Sequence, residues 1–273
     1  MQFSKFFLIM KDILYKKAIL ALIITFLYAH SAMALSVKHH FDVFVGIFNA
    51  AETDFEYKIS PSQYSVNSNV YTKGLFDTLY PFEAQYATSG RIIANKMQTE
   101  NYSYKSQSRF NTRTKNIIYD KNGTPIKSIS TKNNKKREKK IAISANNSNT
   151  TDLQSVVATV VRQYNQNKTC HTMQKVFDGK RRYNVIFEDL GSEELPQTEV
   201  SQYFGKAIKC AMRIDRLQEK GDDALWKMTS QHPIYFWIMT DKDSGAPFIA
   251  RVNAGDTPLG EMIVYTTKVE VKK

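Results

Sequence analysis

From residue 37 to residue 271 the chain is written in strand-length runs of Phe, Tyr, Val, Ile and Thr, cut at short intervals by Gly, Pro, Asn and Asp. Short cuts join antiparallel neighbours, whereas parallel strands need long crossover connections, so this spacing points to an antiparallel sheet. Residues 40–48 and 55–59 are dense in aromatic and β-branched side chains, and Asn101-Tyr102-Ser103-Tyr104-Lys105-Ser106 alternates with period two. Pro61 and Asn67 to Asn69 punctuate the first block, a short helix or turn is expected over 74–80, and a second strand-rich block runs from 82 to 119. Asp120-Lys121-Asn122-Gly123 reads as a hairpin turn. So does Asp178-Gly179, between strands expected at 173–177 and 181–188, because Gly179 tolerates the left-handed backbone such turns need. Further strands are expected at 206–217, 234–240, 248–252 and 262–271.

One stretch departs from this rhythm. Leu153, Val156, Val157, Val160, Val161 and Tyr164 recur at helical spacing and form a single apolar stripe, with Asp152 standing where an N-cap belongs. β-Branched residues are mediocre helix formers, so periodicity has to override propensity in predicting a helix from 152 to about 166. The expected fold is therefore mainly β, a large curved antiparallel sheet or half-open barrel with one packed amphipathic helix. A parallel βαβ architecture would need many more helices.

With 273 residues, 42% of them hydrophobic, the chain can bury a sizeable core, which excludes collagen-like and wholly disordered polymers. Lys11, Lys16 and Lys17 precede an uncharged apolar run from Ala18 to Ala29, and Ala32-Met33-Ala34 supplies the small residues that a signal peptidase reads. Residues 1–34 are expected to be a secretory signal cleaved after Ala34, with 35–273 forming a single domain. The run falls short of the roughly 20 apolar residues that cross a bilayer, so no transmembrane segment is expected after signal removal. No Cys follows it, as a lipoprotein anchor would require. Met10 also sits at a natural start for this signal, which leaves open whether residues 1–9 are translated.

Cys170 and Cys210 are the only cysteines. In an exported chain an even count most often forms a disulfide, because the compartment is oxidising; a reactive thiol or a metal ligand are the alternatives, though no C-x-x-C occurs. The formal charge of +12 is concentrated between Arg91 and Lys140, where fourteen Lys or Arg residues face only Glu100, Asp120 and Glu138. Its densest part carries Lys132, Lys135, Lys136, Arg137, Lys139 and Lys140 and runs on into Asn146-Asn147-Ser148-Asn149. Such polar, self-repelling text reads as a mobile basic insertion at about 131–150, a loop or extended hairpin. Three roles compete for it: a solvated loop, a contact with an anionic lipid or other envelope polyanion, and nucleic-acid binding. The last fits poorly with export and with the lack of aromatic residues among these cations.

No phosphate loop, nucleophile elbow, H-E-x-x-H or cysteine-based zinc motif occurs. His39, His40, His171 and His232 are scattered, and the pairs Glu193-Glu194 and Asp222-Asp223 are adjacent in loop-like text, which is no evidence for a cleft. No catalytic residue, cofactor or metal site is expected. The 15 Tyr and 16 Phe can fill a core or line the concave side of a curved sheet for an apolar ligand.

Cys170, the run Val176-Phe177-Asp178-Gly179-Lys180-Arg181-Arg182-Tyr183, and Tyr203-Phe204-Gly205-Lys206-Ala207 leading to Cys210 resemble a family of exported proteobacterial proteins, the domain of unknown function 3108. Tyr57-Lys58-Ile59, Pro233-Ile234-Tyr235 and Gly260 fit its layout, and the Lys/Asn-rich stretch near 132–149 looks like an insertion relative to it. The resemblance implies a periplasmic protein of a Gram-negative bacterium with a mostly antiparallel β fold, and it brings no catalytic residues. Two functions are carried forward. One is a non-enzymatic envelope protein binding a lipid or other apolar ligand on the concave sheet face; the other is a scaffold or interaction protein with a filled core. A continuous apolar cavity would favour the first, a filled interior the second.

Overall fold

A computed structural model describes residues 34–141, 148–217 and 232–272. The expected signal segment up to Met33, residues 142–147 and the Asp222-Asp223 pair lie outside the described residues. Fourteen strands make one antiparallel sheet: β1 (Leu35–Val45), β2 (Phe48–Ile59), β3 (Gln63–Thr72), β4 (Phe82–Ile93), β5 (Lys96–Ser108), β6 (Thr112–Tyr119), β7 (Pro125–Lys132), β8 (Lys135–Lys140), β9 (Thr172–Phe177), β10 (Arg182–Leu195), β11 (Gly205–Arg216), β12 (Ile234–Thr240), β13 (Pro247–Thr257) and β14 (Gly260–Lys272). Their order is β8-β7-β6-β5-β4-β3-β2-β1-β14-β13-β12-β11-β10-β9, so almost every neighbour in space is a neighbour in sequence. The one long-range pairing, β1 with β14, joins the two runs of hairpins.

Local chemistry fixes the turns. Asp120 accepts the backbone N–H groups of Asn122 and Thr124 at 2.8 and 2.9 Å, and Asp178 does the same for Lys180 and Arg181 at 2.9 and 2.7 Å. Gly179, at φ 90°, completes the second turn so close to β6 that an added β-carbon would come within 3.1 Å of the Ile117 side chain. The sheet therefore curls until the β9–β10 hairpin meets β6, where Ile117, Tyr119, Ile141 and Phe177 form a small core. The edges β8 and β9 do not pair with each other. Thr151 instead lies along β9, accepting from Phe177 at 3.0 Å and donating to Lys175 at 2.8 Å, which leaves a half-open barrel.

Two helices occur among the described residues, α1 (Gly74–Leu79) and α2 (Leu153–Asn167). The second is the helix that the apolar stripe predicts. Val156, Val160, Val161 and Tyr164 are buried against Val37, Tyr57, Val66, Val185, Phe187 and Ile238 on the concave face. Leu153 stays exposed, and the buried side takes in Gln154, Ser155 and Ala158 instead. Asp152 caps the helix by accepting the N–H groups of Gln154 and Ser155 at 3.0 and 3.2 Å. Its carboxylate also takes hydroxyls from Thr88, Thr99 and Ser155 at 2.8, 3.0 and 2.6 Å, pinning the N-terminus of α2 to β4 and β5.

After α2, Cys170 is disulfide-bonded to Cys210 on β11, Cα to Cα 6.5 Å, with both residues fully buried. The bridge spans the strand between them: Asp189 of β10 is in register with Cys210 and accepts the Cys170 N–H at 3.1 Å.

Of the two forms expected of the basic stretch, a loop or an extended hairpin, Lys132 to Lys140 takes the hairpin. Lys132 to Lys135 turn through Asn133 and Asn134, at φ 47° and 67°, and Lys135–Lys140 pairs with β7 along its whole length. A strand with no apolar residue is stable here because it lies at the edge with every side chain exposed. Glu138, set among cations, reaches Lys127 of β7 at 2.7 Å. A row of lysines on an edge also discourages pairing with other chains.

Candidate functional site: a basic groove on the concave face

Alternation along β6 places Arg113, Lys115, Ile117 and Tyr119 on one face. Ile117 and Tyr119 are buried toward Phe177, so Arg113 and Lys115 continue the concave face beyond the core. Register extends the pattern: Arg113 pairs with Lys132 and Lys132 with Lys135, while Lys115 pairs with Ser130 and Ser130 with Arg137. On the other side Lys115 pairs with Tyr104 of β5. These side chains line a groove of about 530 Å³, with Lys136 also on its wall. Six cations border it, and no carboxylate does.

The groove is anchored where it meets the core. The Lys115 ammonium donates to the Asp178 carbonyl at 3.0 Å, tying the groove to the β9–β10 turn. Burial pushes the Lys115 pKa down, against the attraction of Asp178. Tyr104 donates to Ser106 at 2.6 Å and packs on Tyr86 with ring centroids 4.9 Å apart. Burial, with Tyr104 adding to it, pushes the Tyr86 phenol up to about 12, so its hydroxyl stays neutral. Asp178 and Glu138 offset part of the groove's charge from outside the lining, and an anion in the groove relieves the repulsion that remains.

Of the cations that the sequence singles out, Lys132, Lys135, Lys136 and Arg137 line this groove, and Lys139 and Lys140 do not. Arg113, Lys115 and Tyr104 were not anticipated as partners. The signal available was the alternating text Thr112-Arg113-Thr114-Lys115, which puts two cations on one strand face.

The other candidates resolve into structural roles. His40, Asp42 and Glu52 approach one another, but the Lys73 ammonium sits 2.9 Å from Glu52 and 3.5 Å from Asp42, and His40 bonds Asp54 at 2.9 Å. His171 and His232 are exposed. Glu193 pairs with Lys209 at 2.9 Å, and Glu194 alternates to the other face. His39 is buried among Phe41, Phe55, Tyr57 and Phe248. The apolar part of the concave face, expected as a place for a lipid, is occupied by α2. An acyl chain there would have to displace Val156, Val160 and Val161 from the core.

Fold and groove together define a half-open, barrel-like β protein with a cationic concave margin. The chain belongs to the family described as "Protein of unknown function (DUF3108)", whose profile matches residues 40–261. Among solved structures it is similar to the crystal structure of a beta-barrel-like protein of domain of unknown function DUF1849 from Brucella abortus. That match has a TM-score of 0.48 and 9% identity, and covers 88% of this chain and 98% of the other. No curated protein matches.

Proposed function

We propose that this is an exported, non-enzymatic protein of the Gram-negative periplasm that binds phosphate-bearing anions of the cell envelope in the groove between β5 and β8. The observation that carries the reading is the convergence of six cations on one cavity without a carboxylate in its wall. Export is supported by the signal-like text of residues 1–34 and by the buried Cys170–Cys210 disulfide, which suits an oxidising compartment. No described helix is long and apolar enough to cross a membrane. The ligand is held by charge and hydrogen bonds, because α2 fills the apolar interior.

The forked guanidinium groups of Arg113 and Arg137 and the lysine ammonium groups suit phosphate oxygens. Titration with inorganic tripolyphosphate, followed by calorimetry, tests the groove alone. Binding should weaken as salt is raised, and the Arg113→Ala/Arg137→Ala variant should bind about tenfold or more weakly, the loss of one or two charge-assisted contacts. Both residues are exposed, so the fold should tolerate the change. Equal affinity in the variant overturns the reading.

A further inference from the structure

Because the strands follow one another around the sheet, the β1–β2, β3–β4, β5–β6, β7–β8 and β13–β14 connections all fall on one rim. That rim carries large apolar side chains at its tips: Ile47 is 89% exposed, Leu79 66%, Phe110 67% and Leu259 57%, with Leu75 and Tyr80 on and beside α1. The tips form one connected edge. Gly46 N–H donates to the Glu261 carbonyl at 2.9 Å, joining the β1–β2 and β13–β14 turns. Phe48 meets Phe76 of α1 edge-on at 6.4 Å, and Arg109 donates to the Thr78 carbonyl at 3.2 Å. The Asn133 amide then reaches Asn111 at 3.3 Å, so the edge runs on into the β7–β8 turn, where the basic groove begins. On the opposite rim the β2–β3, β4–β5, β6–β7 and β12–β13 turns, Ser60-Pro61-Ser62, Ala94-Asn95, Asp120-Lys121-Asn122-Gly123 and Asp241-Lys242-Asp243-Ser244-Gly245, are polar or small, and the large apolar side chains exposed there include Ile93 beside the second turn and Phe204 in the β10–β11 connection.

Apolar residues at hairpin tips contribute nothing to the core, and a row of them beside a cationic groove has the make-up of a surface that enters a lipid interface. The geometry points to this rim as a peripheral membrane-docking edge: Ile47, Leu75, Leu79, Tyr80, Phe110 and Leu259 enter the headgroup–acyl boundary of an anionic leaflet while the groove cations engage its phosphates. Charge complementarity selects an anionic bilayer as the occupant. The rim's acids include Asp77 and Glu261, which accept from Thr72 and Asn253 at 3.1 and 2.6 Å, and the exposed Asp256 in register with Glu261, and none of the three lines the groove. The inference rests on the groove reading for its charge, and on the tips for its depth and orientation.

The test places an environment-sensitive NBD fluorophore on Ile47→Cys in the purified protein, where Cys170 and Cys210 are buried in their disulfide and do not compete for label. A second protein carries the label on Asn122→Cys, at the polar rim. With vesicles of phosphatidylethanolamine and phosphatidylglycerol, the Ile47 probe should shift to the blue and brighten while the Asn122 probe stays unchanged. Ile47→Asp/Leu259→Asp should lower vesicle affinity about tenfold or more, since it removes two inserted side chains, and leave tripolyphosphate binding intact. If the protein is retained on vesicles with the Ile47 probe unshifted, the docking edge is refuted and the groove reading survives. A blue shift without any tripolyphosphate binding supports the edge and overturns the groove. Equal shifts at both rims overturn the proposed orientation.

Discussion

Acidification should destabilise this protein through His39. The imidazole is 1% exposed, stacked on Phe41 at 5.2 Å with the rings nearly parallel, and neither ring nitrogen makes a hydrogen bond of good geometry. Burial is the dominant influence and lowers its pKa from 6.5 to about 4. Above pH 6.5 the ring is neutral in both states and contributes no pH dependence. Between there and about pH 4 the unfolded chain takes up a proton that the folded chain refuses, so stability falls as pH falls. At 1.36 kcal/mol per pH unit, the gap between 6.5 and about 4 amounts to about 3 kcal/mol, lost across that window and complete below it. Replacing the ring with His39→Phe keeps a flat aromatic in the stack and removes both the titration and two buried nitrogens whose polar contact is at best a weak one with the Phe55 backbone. Urea unfolding of both proteins from pH 7.5 to 4 measures the effect, with the carboxylates common to both cancelling in the difference. The variant should be the more stable throughout, and its advantage should widen by about 3 kcal/mol between pH 7 and pH 4. Parallel stability curves would show that His39 is not held neutral by the fold, and the reasoning from burial would fail.

Two further perturbations probe the framework. Replacing both cysteines by serine should cost on the order of 4 kcal/mol, the loop entropy released by a bridge with a sequence separation of 40, measured as a fall in the urea midpoint under non-reducing conditions; an unchanged midpoint would deny the bridge a stabilising role. Asp152→Ala removes the α2 cap and strands the hydroxyls of Thr88, Thr99 and Ser155, so a loss of about 2–4 kcal/mol is expected, and a loss below 1 kcal/mol would mean the network relaxes onto other acceptors.

Most of the architecture was legible because antiparallel hairpins are local. The strand runs, the Asp120 and Asp178 turns, the α2 stripe and its Asp152 cap all follow from periodicities and side-chain-to-backbone bonds that span a few residues. The turns at Ala94-Asn95 and Asn133-Asn134 were harder to read, since each enters the left-handed region without a glycine, at φ 46° and 67° and at φ 47° and 67°. The basic strand β8 could be read only as a loop or an extended hairpin, for a physical reason. Its six residues include no apolar side chain, and nothing in Lys135-Lys136-Arg137-Glu138-Lys139-Lys140 itself reveals that Ile126 to Lys132 supply an edge to pair with.

The sequence by itself determined the antiparallel class, the helix and its cap, the cysteines available for a bridge and the segment holding the positive charge, because each depends on spacing along the chain. Tertiary structure decided what lies across the sheet. Closure of β1 onto β14 and the curl that brings Phe177 to Ile117 set α2 in the concave interior, so the rings that might have lined a hollow became a core. The same curl left Arg113, Lys115, Lys132, Lys135 and Arg137, drawn from three strands, facing one groove, and it gathered Ile47, Leu79, Phe110 and Leu259 along one rim. The groove depends on the register between successive hairpin strands, and the rim on the pairing that sets the β13–β14 turn beside the β1–β2 turn, and neither can be read from the pattern of a single strand.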